Sequence, residues 1–214
     1  MCQLMSGLIT KEKTYYDLDS DSHEDLIKKA GVVDDGNSPD FVRVEMIPKD
    51  GNIFNHDIKN WVLKVDQDFR PKWFSEKFAE AEMKKAIKEL WAERFVLGRT
   101  IKEIKNGRWF VGNGGTVQKV LGGTVQKVLG GTVQEVWGGG TVQEVLGGTV
   151  QEVLDGGTVQ EVLGGTVIIY DGSFKEIKGS GIVIMRNKNR IITAQDFKLE
   201  IKKDVPKGEK NENL

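Results

Sequence analysis

Acidic side chains near the N-terminus are the residues of this sequence best suited to metal chemistry. Asp17, Asp19 and Asp21 occupy alternate positions, and His23 follows two residues later. Carboxylates in D-x-D-x-D spacing are typical of the first half of a calcium-binding loop. Asp17, Asp19, Asp21 and His23 are therefore candidate metal ligands.

The same segment can also be interpreted as the charged start of a helix. Ser22 stands where a calcium loop needs glycine for its sharp turn, and Lys28 stands where a bidentate glutamate would complete the coordination. Acidic residues at a helix N-terminus are favoured by the helix dipole in any case. We favour this structural interpretation and keep the metal site as the alternative.

The single cysteine is a second candidate for chemistry. If Met1 were removed, Cys2 would carry an N-terminal thiol able to act as nucleophile and base together. No supporting histidine can be placed beside it, because His23 and His56 are the only histidines and both are expected at the surface. We therefore predict no catalytic residue and no cofactor.

Two helices are predicted in residues 1–97. Ser22 precedes Asp25 by three residues and Gly31 follows the apolar positions, which predicts a short capped helix. Apolar residues recur at helical spacing over residues 75–95, with lysine and glutamate on the other face. This pattern predicts a long amphipathic helix.

Two strands are predicted between these helices. Residues 41–47 and 61–65 each alternate apolar with polar side chains, which is typical of a half-buried strand. Residues 1–97 are therefore predicted to form an α+β domain that caps the region following it.

Tandem octapeptides occupy much of the second half of the chain. The unit Gly-Gly-Thr-Val-Gln-(Lys/Glu)-Val-Leu occurs six times, and a seventh copy diverges into GGTVIIY. Two single-residue insertions fall at the glycines, which indicates that Thr-Val-Gln-x-Val is a strand and the glycine pair a corner. The copies begin at Gly114, Gly122, Gly130, Gly139, Gly147, Gly156 and Gly164.

Stacked units of this kind predict a mainly β protein built on a parallel β-solenoid. The two valines of a unit, such as Val117 and Val120, are three residues apart, so a bend or bulge is needed to turn both inward. Thr116, Lys119 and Leu121 then face outward.

The number of units per coil is inferred from charge. Three units per coil, a period of about 25 residues, would pair two lysines with glutamates and leave one like-charged pair. Two units per coil would give two opposite and two like pairs. Because like charges directly opposite each other destabilise a sheet, a three-sided solenoid is predicted.

The repeat pattern continues beyond its perfect copies. Residues 98–104 match the unit with isoleucine for valine, and residues 172–178 and 182–185 match it more loosely. Degenerate end units are typical of the caps that a solenoid needs. We therefore place the solenoid at residues 98–185.

Residues 186–214 form a third, basic segment. Its run FKLEI, residues 197–201, predicts one more strand or cap. The polar tail that follows has no core-forming pattern and is expected to be disordered.

Composition argues against nucleic acid and membranes as partners. Residues 1–97 carry 15 Lys/Arg against 19 Asp/Glu, and residues 98–171 carry 6 against 7, so no continuous basic stripe is present. No apolar run approaches the roughly 20 residues of a membrane span, and the N-terminus lacks a secretory pattern. A single cysteine cannot form a disulfide within the chain, so a cytoplasmic protein is expected.

Several segments together resemble a group of uncharacterised proteins of phages, prophages and gut bacteria. They are MSGLITKEK, DSDSHEDLI, FVRVEMIP, WVLKVDQD and the tandem GGTVQEV units, which span nearly the whole chain. The resemblance implies an association with phages or mobile elements, in a bacterial cytoplasm. It implies no particular activity.

The leading functional hypothesis is a non-enzymatic binding or assembly protein that inhibits or sequesters a host factor. Its motivation is an outward apolar residue at the end of each unit, which could bind a host protein or form a homo-oligomer. The alternatives are a metal-dependent or enzymatic N-terminal domain on an oligomerising solenoid stalk, and a structural component of a virion fibre. The candidate partner-binding residues are Leu121, Leu129, Trp137, Leu146, Leu154 and Leu163.

Overall fold

The computed structural model describes residues 4–34 and 40–198 of the chain. The chain divides into two compact units, Met1–Phe95 and Val96–Leu214. As predicted, the fold is mainly β, with a parallel β-solenoid of about six turns and a small N-terminal α+β region. None of the helices in the described ranges combines the length and the apolar character that a membrane crossing requires.

The N-terminal unit is built on an antiparallel sheet. Its described strands are β1 (Met5–Thr10), β2 (Thr14–Tyr16), β3 (Phe41–Pro48) and β4 (Trp61–Val65), in the order β2-β1-β3-β4. Strands β3 and β4 confirm the two predicted strands. Strand β1 was not predicted, because it is buried along its whole length and so lacks the alternation of a half-exposed strand.

Two helices, α1 (His23–Ala30) and α2 (Glu76–Arg94), contact this sheet. Both confirm the sequence prediction. The hydroxyl oxygen of Ser22 accepts a hydrogen bond from the backbone N–H of Asp25 at 3.3 Å, and Gly31 ends α1. Ser75 caps α2 in the same way. These caps satisfy backbone donors that a helix start would otherwise leave without partners.

The helices lie on opposite faces of the sheet. Leu26 of α1 packs with Leu8 of β1 in one apolar cluster. On the other face, Met83 of α2 lies so close to Gly7 that a Cβ there would be 2.3 Å from the methionine sulfur. Neighbouring residues of a strand point to opposite faces, so Leu8 contacts α1 on one face and Gly7 contacts α2 on the other.

A hydrogen bond between Tyr16 and Glu89 joins β2 to α2. The phenol oxygen donates to the Glu89 carboxylate at 2.6 Å. This hydrogen bond, followed by burial and by the charges of Glu89 and Glu82, raises the pKa of Tyr16 from 10.0 to about 12. The stabilisation from this shift is therefore present below pH 10 and is lost as the pH rises towards 12.

Replacing Glu89 by glutamine is expected to return the pKa of Tyr16 towards 10, because the acceptor charge is lost. Ultraviolet absorbance titration measures this as an earlier ionisation of one of the chain's three tyrosines. Glu93→Gln, an exposed position on the same helix, is the control and should leave the curve unchanged. A wild-type curve that already lacks the late ionisation would contradict the assignment.

The second unit winds with two strands per coil, one in each of two sheets. In the described residues, one sheet has seven strands in the order β17-β16-β14-β12-β10-β8-β6 and the other has six in the order β15-β13-β11-β9-β7-β5. The strands of the seven-stranded sheet are β6 (Thr100–Ile104), β8 (Thr116–Val120), β10 (Thr132–Val136), β12 (Thr149–Val153), β14 (Thr166–Ile169), β16 (Ile182–Met185) and β17 (Arg190–Thr193). Those of the six-stranded sheet are β5 (Phe95–Val96), β7 (Arg108–Val111), β9 (Gly123–Val128), β11 (Gly140–Val145), β13 (Thr158–Val162) and β15 (Ser173–Ile177).

The three-sided solenoid with about 25 residues per coil is wrong. Thr132 pairs with Thr116 on one side and Thr149 on the other, so one coil takes 16 or 17 residues, or two units. A residue with positive φ at the glycine corner reverses the chain, so two corners close a coil. The resulting like pairs, Glu135 with Glu152 and Glu144 with Glu161, each cost only a few tenths of a kcal/mol, too little to alter this geometry.

Both valines of each unit face the interior, as predicted. Strand β12 shows how this is achieved: Val150 and Val153, three residues apart, pair with Val167 and Ile169, which are two apart. The repeat strand therefore carries one extra residue, a bulge that rotates its second valine inward. The fully buried repeat valines are Val117, Val120, Val125, Val128, Val133, Val136, Val142, Val145, Val150, Val153, Val159 and Val162.

The C-terminal end of the solenoid differs from the prediction. Thr193 and Asp196 exchange hydrogen bonds between side chain and backbone, in the manner of a capping box, and residues 194–198 are helical. The predicted strand at 197–201 is thus wrong for Phe197 and Lys198, and its remainder and the tail lie outside the described residues. Phe197 packs against Phe174, with ring centroids 5.7 Å apart.

Candidate functional site

The apolar residues that end the repeat units lie on two opposite edges of the solenoid. Because alternate units belong to opposite sheets, alternate corners turn at opposite edges. The prediction that the six residues form one continuous row is therefore wrong. We call one row the aromatic edge: Leu121, Trp137, Leu154 and Tyr170. We call the other the leucine edge: Leu129, Leu146 and Leu163.

The aromatic edge is a ladder of aligned side chains on successive coils. The backbone N–H of Trp137 donates to the Val120 carbonyl at 2.9 Å, and that of Leu154 donates to Val136 at 2.8 Å. Strand spacing therefore places neighbouring side chains about 4.8 Å apart. Leu121 is 36% exposed and Tyr170 is 40% exposed, so solvent reaches the ladder.

Trp137 is held in one orientation by two charged neighbours. Its indole N–H donates to Glu135 Oε2 at 2.7 Å, and Lys119 Nζ lies 5.8 Å from the ring centroid. Lys119 also pairs with Glu135 at 3.2 Å. The indole hydrogen bond and then Lys119 lower the pKa of Glu135, so the acceptor is ionised at neutral pH.

The aromatic edge also carries the longer corners of the repeats. The extra glycine that follows Trp137 and the extra Asp155 that follows Leu154 both lie there. The leucine edge has two-residue corners, and its three leucines are half-buried, as Trp137 and Leu154 are, whereas the exposed Leu121 and Tyr170 have no counterpart there. The two edges thus present different surfaces although their units are nearly identical in sequence.

The acidic residues predicted near the N-terminus are not gathered around one point. Asp17 pairs with Lys29 at 2.9 Å, and both oxygens of Asp19 accept hydrogen bonds from Arg94, at 3.0 and 3.3 Å. The segment before α1 is thus linked to α1 through Asp17 and to α2 through Asp19. Among the described residues, the ligand atoms that lie close together belong to His23 and two other residues, and not to Asp17, Asp19 or Asp21.

His23 lies instead beside Glu45 of β3 and Asp66, which follows β4. One ligand atom from each residue lies within 4.8 Å of the others. His23 is 6% exposed and Glu45 is 2% exposed. Lys64 Nζ lies 3.6 Å from Glu45 and 3.2 Å from Asp66, which balances part of the negative charge. We call these three ligand-bearing residues, His23, Glu45 and Asp66, the His23 cluster.

The ring of His23 is oriented by the sheet. Its Nε2 lies 3.1 Å from the backbone carbonyl oxygen of Val44, and its Nδ1 lies 3.8 Å from Asp66 Oδ2. A carbonyl oxygen only accepts, so Nε2 carries a proton and Nδ1 is the atom that faces Asp66. A pocket lined by Ser22, His23, Glu24, Asp34, Arg43 and Asp66 opens beside the cluster.

The sequence did not reveal Glu45 and Asp66 as members of a site. Glu45 occupies a polar position of an alternating strand, which predicted exposure, but the start of α1 covers it. The available signal was weak, since a lone glutamate on a strand and an aspartate after the next strand are common surface features.

The other residues considered for chemistry are not part of either site. Cys2 lies outside the described residues. His56 is half-buried and stacks on Trp91 at 4.5 Å, with Phe95 at its edge. The predicted surface position of both histidines is therefore wrong for His23 and only half right for His56. Burial lowers the pKa of His56, because charging the ring there would remove it from water.

Two candidate sites thus arise from the described residues: an apolar edge suited to a protein surface and a histidine-carboxylate cluster suited to a metal ion. They lie in different units of the chain. The comparisons add no function to either, since no protein-family model, curated protein or solved structure matches the chain.

Proposed function

We propose that this protein is a non-enzymatic binding protein whose solenoid displays the aromatic edge to a protein partner. The alignment of apolar side chains on successive coils, at positions that solvent reaches, carries the proposal. A contiguous apolar row favours protein binding, because its burial removes apolar surface from water. Stacked strands also hold the row rigid, so little conformational freedom is lost on binding.

Trp137 is the expected centre of the contact. It lies between Leu121 and Leu154 on the edge, and Glu135 and Lys119 already orient its ring. Tryptophan is enriched among residues whose truncation costs an interface about 2 kcal/mol or more. An oriented indole retains most of that contribution, because its rotamer is already restricted before binding.

We further propose that the partner is a host protein that the chain inhibits or sequesters in the bacterial cytoplasm. Support comes from the resemblance of the N-terminal segments and the GGTVQEV units to phage and prophage proteins. Self-association through the same edge would use the same side chains and is a separate outcome of the experiment below.

Replacing Trp137 and Leu154 together by lysine is expected to weaken partner binding about 30-fold or more, because the row loses its centre and gains charge. The tagged full-length chain and the variant would be used to isolate partners from bacterial lysate. The captured protein would then be purified and its affinity for both chains measured by calorimetry. Light scattering of each chain alone would report any self-association.

The matched control is Leu129→Lys with Leu146→Lys, which changes two successive corners of the leucine edge by the same charge. This variant is expected to bind the partner as the wild-type chain does. Equal loss of binding in both double variants, with both still folded, would contradict the assignment to the aromatic edge. A homo-oligomer that only the aromatic-edge variant disrupts would identify a second copy as the partner.

A further inference from the structure

We propose that the His23 cluster is a binding site for a divalent transition-metal ion of the zinc type. His23 would provide one nitrogen, and Glu45 and Asp66 would each provide one carboxylate oxygen. Imidazole with carboxylate is a donor set that suits zinc and its neighbours in the first transition row. The inference is independent of the proposed function of the solenoid.

The orientation of His23 is the first support. A metal-bound histidine uses one ring nitrogen as ligand and commonly donates the other N–H to a carbonyl or carboxylate, which fixes the ring. Here Nε2 meets the Val44 carbonyl at 3.1 Å, so Nδ1, which lies 3.8 Å from Asp66 Oδ2, is the nitrogen left to bind an ion. The acceptor is a backbone atom of β3, so the sheet itself sets this orientation.

The charge of the site is the second support. Glu45 is 2% exposed, and an ionised carboxylate is costly to bury without a compensating cation. Lys64 Nζ lies 3.6 Å from Glu45 and 3.2 Å from Asp66, so the two carboxylates together already attract a cation. A divalent ion would neutralise both carboxylates at once. Lys64 is half exposed and could then extend into solvent.

The three ligand atoms would have to move closer together to bind one zinc ion. Zinc bonds of about 2.0–2.2 Å place tetrahedral ligand atoms roughly 3.3–3.6 Å apart, whereas the ligand atoms of the cluster lie within 4.8 Å of one another. Asp66 has a side chain that is 40% exposed, so it can rotate towards Nδ1 of His23. The pocket beside His23 and Asp66 leaves a fourth position open to water.

The test is calorimetric titration of the full-length chain with zinc chloride, together with thermal unfolding with and without zinc. One ion per chain and a raised melting temperature are expected, because the ion binds only the folded cluster. His23→Ala and Asp66→Asn are each expected to weaken binding at least tenfold. Asp66 is exposed and Asn keeps its shape, so this variant remains informative if changes at buried positions impair folding.

Lys64→Met gives the sharpest expectation. Lys64 contacts both carboxylates and competes with a metal ion for them, so its removal should tighten zinc binding several-fold. If the cluster is only a structural ion-pair network, neither chain should bind zinc. Cys2→Ser, which removes the one thiol, and Asp19→Asn, whose partner is Arg94, should bind as the wild-type chain does. Absence of binding at millimolar zinc, or binding that His23→Ala and Asp66→Asn leave unchanged, would overturn the proposal.

Discussion

Val150→Asp is expected to unfold the solenoid, whereas the same substitution at the adjacent Gln151 is expected to leave it folded. Val150 is fully buried in β12 and pairs with Val133 and Val167 in the neighbouring coils. A carboxyl group there has apolar side chains on both sides, so we expect a loss of about 5 kcal/mol or more. Gln151 is exposed, so a carboxylate there stays in water.

The comparison tests which side of β12 faces the core, because neighbouring residues of a strand point to opposite faces. Guanidinium denaturation followed by circular dichroism would measure the unfolding midpoints. Val150→Thr has nearly the same shape but buries a hydroxyl, so a smaller loss of about 1–3 kcal/mol is expected. Equal stability of the Val150→Asp and Gln151→Asp variants would show that Val150 does not face the core.

Three alanine substitutions at glycine corners are expected to differ in effect despite similar sequence surroundings. Gly148 has φ +84°, and a Cβ there would lie 2.2 Å from the Gly131 carbonyl oxygen. That oxygen already accepts a hydrogen bond from Thr149 at 3.0 Å, so it cannot move away without breaking the ladder. Strain and overpacking together predict a loss of about 2–5 kcal/mol for Gly148→Ala.

The other two positions separate these contributions. Gly156 has φ +81° but open space where a Cβ would lie, so Gly156→Ala should cost only the strain, about 1–2 kcal/mol. Gly147 is outside the positive-φ region and its nearest neighbour would be 3.7 Å away, so Gly147→Ala should be neutral or slightly stabilising. Thermal or guanidinium unfolding would rank the three variants. A loss of stability in Gly147→Ala equal to that in Gly148→Ala would contradict this account of the corners.

The local elements were predictable because their determinants are adjacent in sequence. Ser22, Asp25 and Gly31 mark the two ends of α1, and each acts on backbone groups within a few residues. The strands and corners of the octapeptide were predictable for the same reason, since strand residues and corner glycines stand next to each other in every copy. The inward position of both valines also followed from the repeat, because a solenoid has no other core.

The coil length was not predictable, because it depends on which units meet across the sheets. The prediction rested on the charges at the Lys/Glu position of the units, and their effect is small beside the corner geometry that closes a coil after two units. That one difference divides the apolar corner residues between two edges. Successive units of nearly identical sequence therefore place Trp137 on one edge and Leu146 on the other.

The sequence by itself determined the solenoid, its strands and corners, and the capped helices of the N-terminal unit, because these depend on short-range pattern and backbone conformation. Only the tertiary structure decided the two-sided coil, the aromatic edge and the His23 cluster. Each of these brings together residues that are distant in sequence, as α1 does when it places His23 over Glu45 and beside Asp66. Such contacts depend on how elements pack, and no local pattern encodes that packing.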